Sequence, residues 1–218
     1  MCGRKQEEGM MTPATVKRKA ARPTQAERTA ISRDKVIVAA IRCLVSVGYA
    51  ATSITLIAST AKMSIGRVQH QFSTKAEIMA AVIESIHETN NDHLSLRKLH
   101  SDEPQARVIE YIKLIQETFE HDHVLAAFEI RMAMKGDSEL AAAVGPQLKR
   151  FDAKSFQDLE ELLVATSMPR KTAHTWMRLL LATTRGLALE RVASYSITNR
   201  INARQSLEMF INLVLERG

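Results

Sequence analysis

The sequence predicts an all-α protein, with a compact helical head over residues 33–75 followed by a larger helical body. After Ser32, apolar residues recur at steps of three and four, which is the period of an amphipathic helix, and no run alternates as a half-buried strand does. Glycine and proline, which break helices, number only 8 and 5 in 218 residues. Residues able to cap a new helix recur along the chain, so the helical pattern divides into separate segments.

The first helix of the head is predicted over residues 33–47. Ser32 is placed to cap its first turn, and Gly48 to end it in the left-handed conformation that glycine adopts without strain. Its apolar residues repeat on one face: Val36, Ile37, Ala40, Leu44 and Val47. Three more caps follow closely: Ser53 before 54–61, Ser64 before 65–71, and Ser73 or Thr74 before a longer helix from Lys75. Caps so close together predict three changes of direction.

Beyond residue 90 the sequence predicts five further, longer helices. Breaks are expected near residues 100–104, 121–122, 136–137, 168–169 and 196–199. Pro146 falls inside the segment 138–165, where proline removes an amide and clashes with the preceding turn. This segment is therefore expected to kink or to split off a first turn.

Positive charge is concentrated at the N-terminal end of the chain. Residues 1–80 hold 13 Lys and Arg against 5 Asp and Glu, a net charge of +8, whereas residues 81–218 hold 17 against 19, a net charge of −2. This asymmetry favours a polyanion partner for the N-terminal end, and nucleic acid is the leading candidate. The start of the chain lacks the apolar middle region of a secretory signal, and its basic residues stand beside Pro and Thr instead. Residues 1–32 are therefore predicted to be a disordered basic arm.

Several other classes of protein find no support in the sequence. The two cysteines, Cys2 and Cys43, provide neither a disulfide framework nor a cysteine metal site, which fits a reducing cytoplasm. Arg42 and Arg185 interrupt the most apolar stretches, so no membrane segment is expected. The histidines lack a repeated ligand spacing, and no Ser-His-Asp order or glycine-rich phosphate loop is found. The sequence therefore predicts no enzyme, no metal site and no cofactor.

A helix-turn-helix is predicted near residues 53–72. Its parts follow in order: Ile57 and Ala58 in the first helix, residues 61–63 as the turn, and Val68 with Phe72 on the inner face of the second helix. The outer face of 65–71 then carries side chains that donate hydrogen bonds to base edges or phosphates, and it has no acidic residue. This face is therefore predicted to meet DNA.

The same segment resembles the N-terminal signature of the TetR family of bacterial transcriptional regulators. The matching residues keep the family's order and spacing over about residues 33–80: Ala39-Ala40, Gly48-Tyr49, Thr52-Ser53-Ile54, Ile57-Ala58, Ala61, Ser64, Gly66, Phe72 and Lys75. The resemblance implies a three-helix DNA-binding head, a connecting helix, and a C-terminal body that binds a small molecule and dimerises. The domains would then be residues 33–80 for DNA binding and 81–218 for effector binding and dimerisation.

Ten residues form the predicted DNA contact set: Ser53, Thr55, Ser64, Ile65, Gly66, Arg67, Gln69, His70, Gln71 and Lys75. The resemblance implies a phosphate contact for Lys75, whereas Tyr49 is expected to pack at the rim of the head. Lys62 stands where the family's turn usually has glycine, and a left-handed conformation there costs about 1–2 kcal/mol. Gln69 and His70 replace the usual aromatic pair, so the family's tyrosine contact to phosphate is not expected.

The last two helices, about residues 170–195 and 199–217, are expected from the resemblance to pair with those of a second copy as a four-helix bundle. The predicted interface consists of Leu180, Thr183, Leu187, Leu207, Ile211 and Val214. A core within one chain is the alternative for the same residues. A two-fold homodimer would match a pseudo-palindromic operator.

The predicted function is a cytoplasmic repressor that a small-molecule effector releases from its double-stranded DNA operator. With 10 methionines and only 5% aromatic residues, a pliant aliphatic pocket is expected. Phe128, Met132 and Trp176 are candidates to line it, and core packing is the alternative for all three. The alternative function is an architectural or partner-recruiting DNA-binding protein without an effector, which a fully packed body would favour.

Overall fold

This computed structural model describes residues 24–193 together with 205, 209, 211 and 212. Residues 24–193 contain eight α-helices and one 3₁₀ turn, and the four later residues are also helical. The helices are α1 (Gln25–Ala51), α2 (Ile54–Ala61), α3 (Ile65–Gln69), α4 (Lys75–His93), α5 (Pro104–Phe119), α6 (Asp122–Ala133), α7 (Ser138–Ala165) and α8 (Arg170–Ala193), with the 3₁₀ turn at Leu96–Lys98. No strand occurs among these residues, and the predicted all-α fold is confirmed. None of the described helices is long and apolar enough to cross a membrane.

Helix α1 begins at Gln25 and not at residue 33. Thr24 caps it in a reciprocal arrangement, because its hydroxyl accepts from the Glu27 amide and its own amide donates to the Glu27 carboxylate. Ser32, the predicted cap, is instead buried within the helix. The prediction of a disordered arm is therefore wrong for residues 25–32, whereas residues 1–23 of that arm lie outside the described part of the chain.

Gly48 puts a kink near the end of α1. Its φ of 74° is positive, as predicted, but its ψ of 173° lies far from the left-handed helical region, in a conformation that is essentially restricted to glycine. The backbone returns to helix for three more residues, up to Ala51. A Cβ atom at position 48 would also lie 3.1 Å from a carboxylate oxygen of Glu129 on α6. The kink thus brings the backbone of the head close to the body.

The short helices of the head begin where the sequence predicts. The side chains of Ser53, Ser64 and Thr74 each accept a hydrogen bond from a backbone amide in the first turn of α2, α3 and α4. Thr74, not Ser73, is the cap of α4. Lys62 ends α2 in the left-handed conformation, with φ 57° and ψ 45°. The sharp turn between α2 and α3 therefore forms without glycine.

The helices of the body break close to four of the five predicted places, and the fifth, at residues 196–199, lies outside the described residues. Pro146 lies inside α7, which runs without a break from Ser138 to Ala165. The predicted separate first turn is therefore not found. Val144 and Leu148, on either side of the proline, are both buried, so packing holds the helix together there.

Two hydrophobic cores organise the molecule. The first contains residues of α1–α4 together with α6 and the beginning of α7, so the head shares a core with the body. The second contains residues of α5, the end of α7 and α8, and includes Leu99 and Ile211. Helices α4 and α7 extend from the first core towards the second. The head therefore cannot tilt without disturbing α6 and α7.

Candidate nucleic-acid interface and the cavity behind it

The outer face of α3 is exposed while its inner side is fully packed. Val68 and Phe72 are only 0% and 1% exposed and hold the segment against the head. Six of the predicted contact residues are exposed on and around this helix: Ser64, Ile65, Gly66, Arg67, Gln69 and His70. Ser53 and Thr55 are exposed at the start of α2. This arrangement, with a buried inner face and a free outer face, is what a helix needs to enter a DNA groove.

Gln71 does not belong to that exposed face. Its Nε2 donates to the Ser32 hydroxyl of α1 over 2.7 Å, and its Oε1 is buried. The sequence pattern assumed helix over residues 65–71, but α3 ends at Gln69, and the chain has turned towards α1 two residues later. Gln71 therefore connects the end of α3 to α1 by a hydrogen bond, and we remove it from the predicted DNA contact set.

Lys75 lies at the junction between head and body. Its ammonium donates to the Tyr49 carbonyl over 2.7 Å and stands 3.6 Å from the centre of the Tyr49 ring. Burial lowers the pKa of Lys75, while the nearby Asp137 carboxylate acts in the opposite direction. The Tyr49 hydroxyl donates to Asp137 over 2.6 Å, so Tyr49 packs at the rim of the head. The phosphate contact expected for Lys75 stays a prediction.

A basic groove of about 740 Å³ runs between α1 and the turn beside α3, and the sequence reading missed it. Five basic side chains and one acidic side chain line it: Arg28, Lys35, Arg42, Lys62 and Arg67, with Asp34. The three basic residues of α1 are spaced by seven, which places them on one helical face. This spacing could have been noticed had α1 been extended to its true start. The groove enlarges the positive surface beside Arg67.

A cavity of about 120 Å³ lies where the two cores meet, with walls from α4, α5, α6, α7 and α8. Of the three effector candidates, Phe128 lines it. Met132 is 75% exposed and Trp176 packs against the second core, so neither borders this cavity. The wall has no methionine, and its apolar part combines eight aliphatic side chains with four aromatic ones: Tyr111, Phe119, Phe128 and Phe151. The expectation of an aliphatic effector pocket stays a prediction.

Charged groups stand in the wall of this cavity. Arg131 of α6 makes a bidentate salt bridge to Asp152 of α7, with N–O distances of 3.1 and 3.4 Å. Arg185 of α8 donates to the same carboxylate over 3.0 Å. All three side chains are about one third exposed. The carboxylate thus links three helices at the edge of the cavity.

His87 is a neutral residue in the same wall. Burial lowers its pKa to about 3, and the positive charge of Arg150 adds to this effect. Its Nε2 lies 3.3 Å from the Asn91 side-chain amide nitrogen, and that amide donates to Nε2 in the tautomer that carries the ring proton on Nδ1. That Nδ1 atom is buried and has no hydrogen-bond partner in the structure.

We expect His87 to make the protein less stable at acidic pH. The folded pKa lies below the value of about 6.5 for an unperturbed histidine, so the unfolded chain takes up a proton that the folded chain resists. The free energy of unfolding should therefore fall as the pH drops from about 7 to about 5, and His87→Gln should lose less over that interval. Urea unfolding at each pH measures this. His70→Gln, at an exposed position, is the matched control, and equal slopes for wild type and His87→Gln would refute the expectation.

The predicted dimer residues fall into three groups. Leu180 and Ile211 are each 5% exposed and belong to the second core of the single chain, so their assignment to an interface is corrected. Thr183 and Leu187 are half-buried. Leu207 and Val214 lie outside the described residues.

The exposed apolar side of α8 does not consist of the predicted dimer residues. Leu179 and Leu189 are 44% and 45% exposed, and Ala182 and Gly186 are exposed between them. The spacing of these four residues places them along one side of the helix. Small residues between two leucines let another helix approach closely.

Comparisons with known proteins agree with this geometry. The family model for bacterial regulatory proteins of the tetR family matches residues 36–82, which cover most of α1, all of α2 and α3, and the start of α4. Over 171 residues the chain is 29% identical to the HTH-type transcriptional regulator CymR of Pseudomonas putida, an alignment that spans 77% of this chain and 83% of that protein.

Solved structures share the fold over most of the chain. A transcriptional regulator from Rhodococcus sp. Rha1 has a TM-score of 0.72 and 22% identity, covering 85% of this chain and 96% of that one. A protein from Saccharomonospora viridis, solved in complex with choline and described as a transcriptional regulator, has a TM-score of 0.67 and 16% identity, covering 84% and 96%. With the helix-turn-helix geometry and the family match, the conclusion is that residues 36–82 form the DNA-binding domain of the tetR family of bacterial regulatory proteins, in a chain that is similar over most of its length to transcriptional regulators.

Proposed function

We propose that the protein is a homodimeric repressor that leaves its operator when a small molecule occupies the cavity between the two cores. One observation carries this proposal: helix α6 forms part of the cavity wall and also makes a hydrogen bond to the head. Phe128 and Arg131 border the cavity, while the Glu129 carboxylate accepts a hydrogen bond of 2.9 Å from the backbone amide of Tyr49.

The contact at Tyr49 is placed to transmit a movement of α6. Tyr49 directly follows the kink at Gly48, and the Glu129 carboxylate lies against both residues. Ile130, the next residue of α6, is fully buried in the core that the head shares with the body. A ligand that shifts α6 would therefore change the placement of the head. It would act only as far as it binds the shifted state more tightly than the DNA-binding state.

The proposed DNA surface combines α3 with the basic groove. Arg67 is its most specific member, because a guanidinium on the outer face of a recognition helix reaches a guanine edge with two hydrogen bonds. The remaining contacts proposed at or near bases are Ser53, Thr55, Ser64, Ile65, Gly66, Gln69 and His70. Phosphate contacts are proposed for Lys62, Lys75 and the basic side chains of α1.

The test begins with selection of bound duplexes from a random library, which we expect to yield an inverted repeat if two heads bind in a symmetric dimer. On that duplex, Arg67→Ala should cost about 1–3 kcal/mol and relax the preference at one base pair per half-site. Lys62→Ala is the matched control, because loss of a phosphate contact weakens binding similarly on all sequences and lowers the salt dependence. Titrations on selected and scrambled duplexes at several salt concentrations separate these effects. Unchanged affinity and selectivity for Arg67→Ala would contradict the proposed α3 surface.

The second candidate function is an architectural DNA-binding protein without an effector. The cavity favours the effector-responsive protein, and the choline complex of the Saccharomonospora viridis protein supports a small-molecule site in this fold. A DNA target further supports a cytoplasmic location and a regulatory role without catalysis.

A further inference from the structure

We propose that the effector is a small apolar monoanion, about the size of a single-ring carboxylate, whose charged group binds Arg131 and Arg185. This inference deepens the proposed function, and it rests on that function only for the consequence on DNA. Binding of the anion itself can be measured on the protein alone.

The charge balance of the cavity wall is the first argument. Two guanidiniums, which stay charged at any physiological pH, share one carboxylate, and Asp152 is the only Asp or Glu among the lining residues. The wall therefore keeps an excess positive charge at a partly buried position, where an unneutralised charge is unfavourable. Arg185 contacts Asp152 through one nitrogen, Nη2, so other donors of its planar fork are left for a second anion.

The half-buried ring of His87, whose Nδ1 atom is fully buried, is the second argument. A neutral histidine with its proton on Nδ1 offers one hydrogen-bond donor, and this donor has no partner in the structure. Buried polar groups are almost always hydrogen-bonded, so an acceptor oxygen on the ligand would satisfy the ring. A cationic ligand would find no acceptor at Nδ1 and would meet two arginines.

The size and the remaining wall are the third argument. A cavity of about 120 Å³ is far below the roughly 300–1,000 Å³ of sites for drug-sized ligands. It is close to the roughly 150 Å³ that accommodates benzene in a protein core. The wall away from the charges is built from aromatic rings and from aliphatic side chains such as Ile83, Ile115 and Leu181. The ligand that fits has one compact apolar body and one anionic group.

Isothermal titration of the full chain with benzoate, benzamide and benzylamine tests the charge preference directly. The three compounds share a ring and carry a negative, a neutral and a positive group. We expect benzoate to bind at least tenfold more tightly than benzamide, and benzylamine to bind most weakly, because a charge-assisted hydrogen bond is about twice as strong as a neutral one. Equal affinity for benzoate and benzamide would overturn the proposal. So would failure of benzoate, cyclohexanecarboxylate and hexanoate alike to bind.

Substitutions locate the anion. Arg185→Gln should weaken benzoate at least tenfold and leave benzamide within about twofold, since it removes charge and little volume. Arg170→Gln is the matched control, because Arg170 starts the same helix and pairs with Glu160 outside the cavity. Asp152→Asn should tighten benzoate, because it removes the carboxylate that competes for both arginines. Weaker binding in both Arg185→Gln and Asp152→Asn would mean that the bridge is structural, and the proposal would fail.

The consequence on DNA is measured separately, with the duplex selected from the random library. If benzoate binds but does not release that duplex, the anion site stands and the proposed effector-released repressor fails. If a neutral ring compound both binds as tightly and releases the duplex, the regulatory function stands and the inference about charge fails. Should Arg185→Gln not fold, as judged by circular dichroism, the ligand series on the wild-type protein still decides the charge preference.

Discussion

Leu189→Glu is expected to convert the proposed homodimer into monomers and to lower operator affinity at least a hundredfold. The exposed side of α8, with Leu179 and Leu189 separated by Ala182 and Gly186, is the apolar surface that a second copy would cover. A buried, unpaired charge costs about 3–5 kcal/mol, which corresponds to a loss of at least a hundredfold in association. A monomer would also lose the contribution of the second half-site.

Sedimentation velocity and operator titrations measure the two consequences of this substitution. Met132→Glu is the matched control, because Met132 is an even more exposed apolar residue, at 75%, on a different helix. The control should keep both the dimer and the affinity. An intact dimer in Leu189→Glu and Leu179→Glu alike would mean that this side of α8 is not the interface.

Phe72→Ala is expected to lower the free energy of unfolding by about 3–5 kcal/mol, as truncation of a buried Phe usually does. Phe72 is only 1% exposed, and the Arg33 guanidinium lies 4.2 Å from the centre of its ring. The substitution therefore removes packing and a cation–π contact together. A loss of this size is a large part of the roughly 5–15 kcal/mol that stabilises a typical domain, so DNA binding should fail well below the wild-type melting temperature.

Urea unfolding followed by circular dichroism measures this loss. Ile65→Ala is the matched control on the same short segment, because Ile65 is 43% exposed and little apolar contact is lost on truncation. The control should stay within about 0.5 kcal/mol of the wild type. Similar losses for Phe72→Ala and Ile65→Ala would show that Phe72 does not anchor α3.

The parts of the fold that the sequence predicts well are those that depend on neighbouring residues. The caps at Ser53, Ser64 and Thr74 are local hydrogen bonds, so their residue types reveal them. The start of α1 is also local. It was missed because the apolar pattern begins only near Ser32, whereas the capping pair Thr24 and Glu27 holds a first stretch of helix that is exposed to solvent.

The errors concern features that depend on how distant helices pack. Leu180 and Leu179 are adjacent and equally apolar, and only the position of α5 and α7 decides that the first is buried and the second exposed. Gln71 leaves the DNA surface because Ser32, far away in sequence, lies within hydrogen-bond distance. The cavity needs five helices at once, so no local pattern distinguishes Phe128, which lines it, from Met132, which does not.

The placement of Glu129 beside Phe128 and Arg131 has a consequence for how such a regulator diversifies. These residues lie within one turn of α6, and Glu129 and Arg131 are only about 3 Å apart along the helix axis. Under the proposed function, a new chemical signal requires substitutions only at residues that face the cavity, on α6 and on the four other helices of its wall. The hydrogen bond from the Tyr49 amide to the Glu129 carboxylate can stay unchanged while the recognised compound changes. Duplicated copies of the gene could thus acquire unrelated inducers and keep the same output.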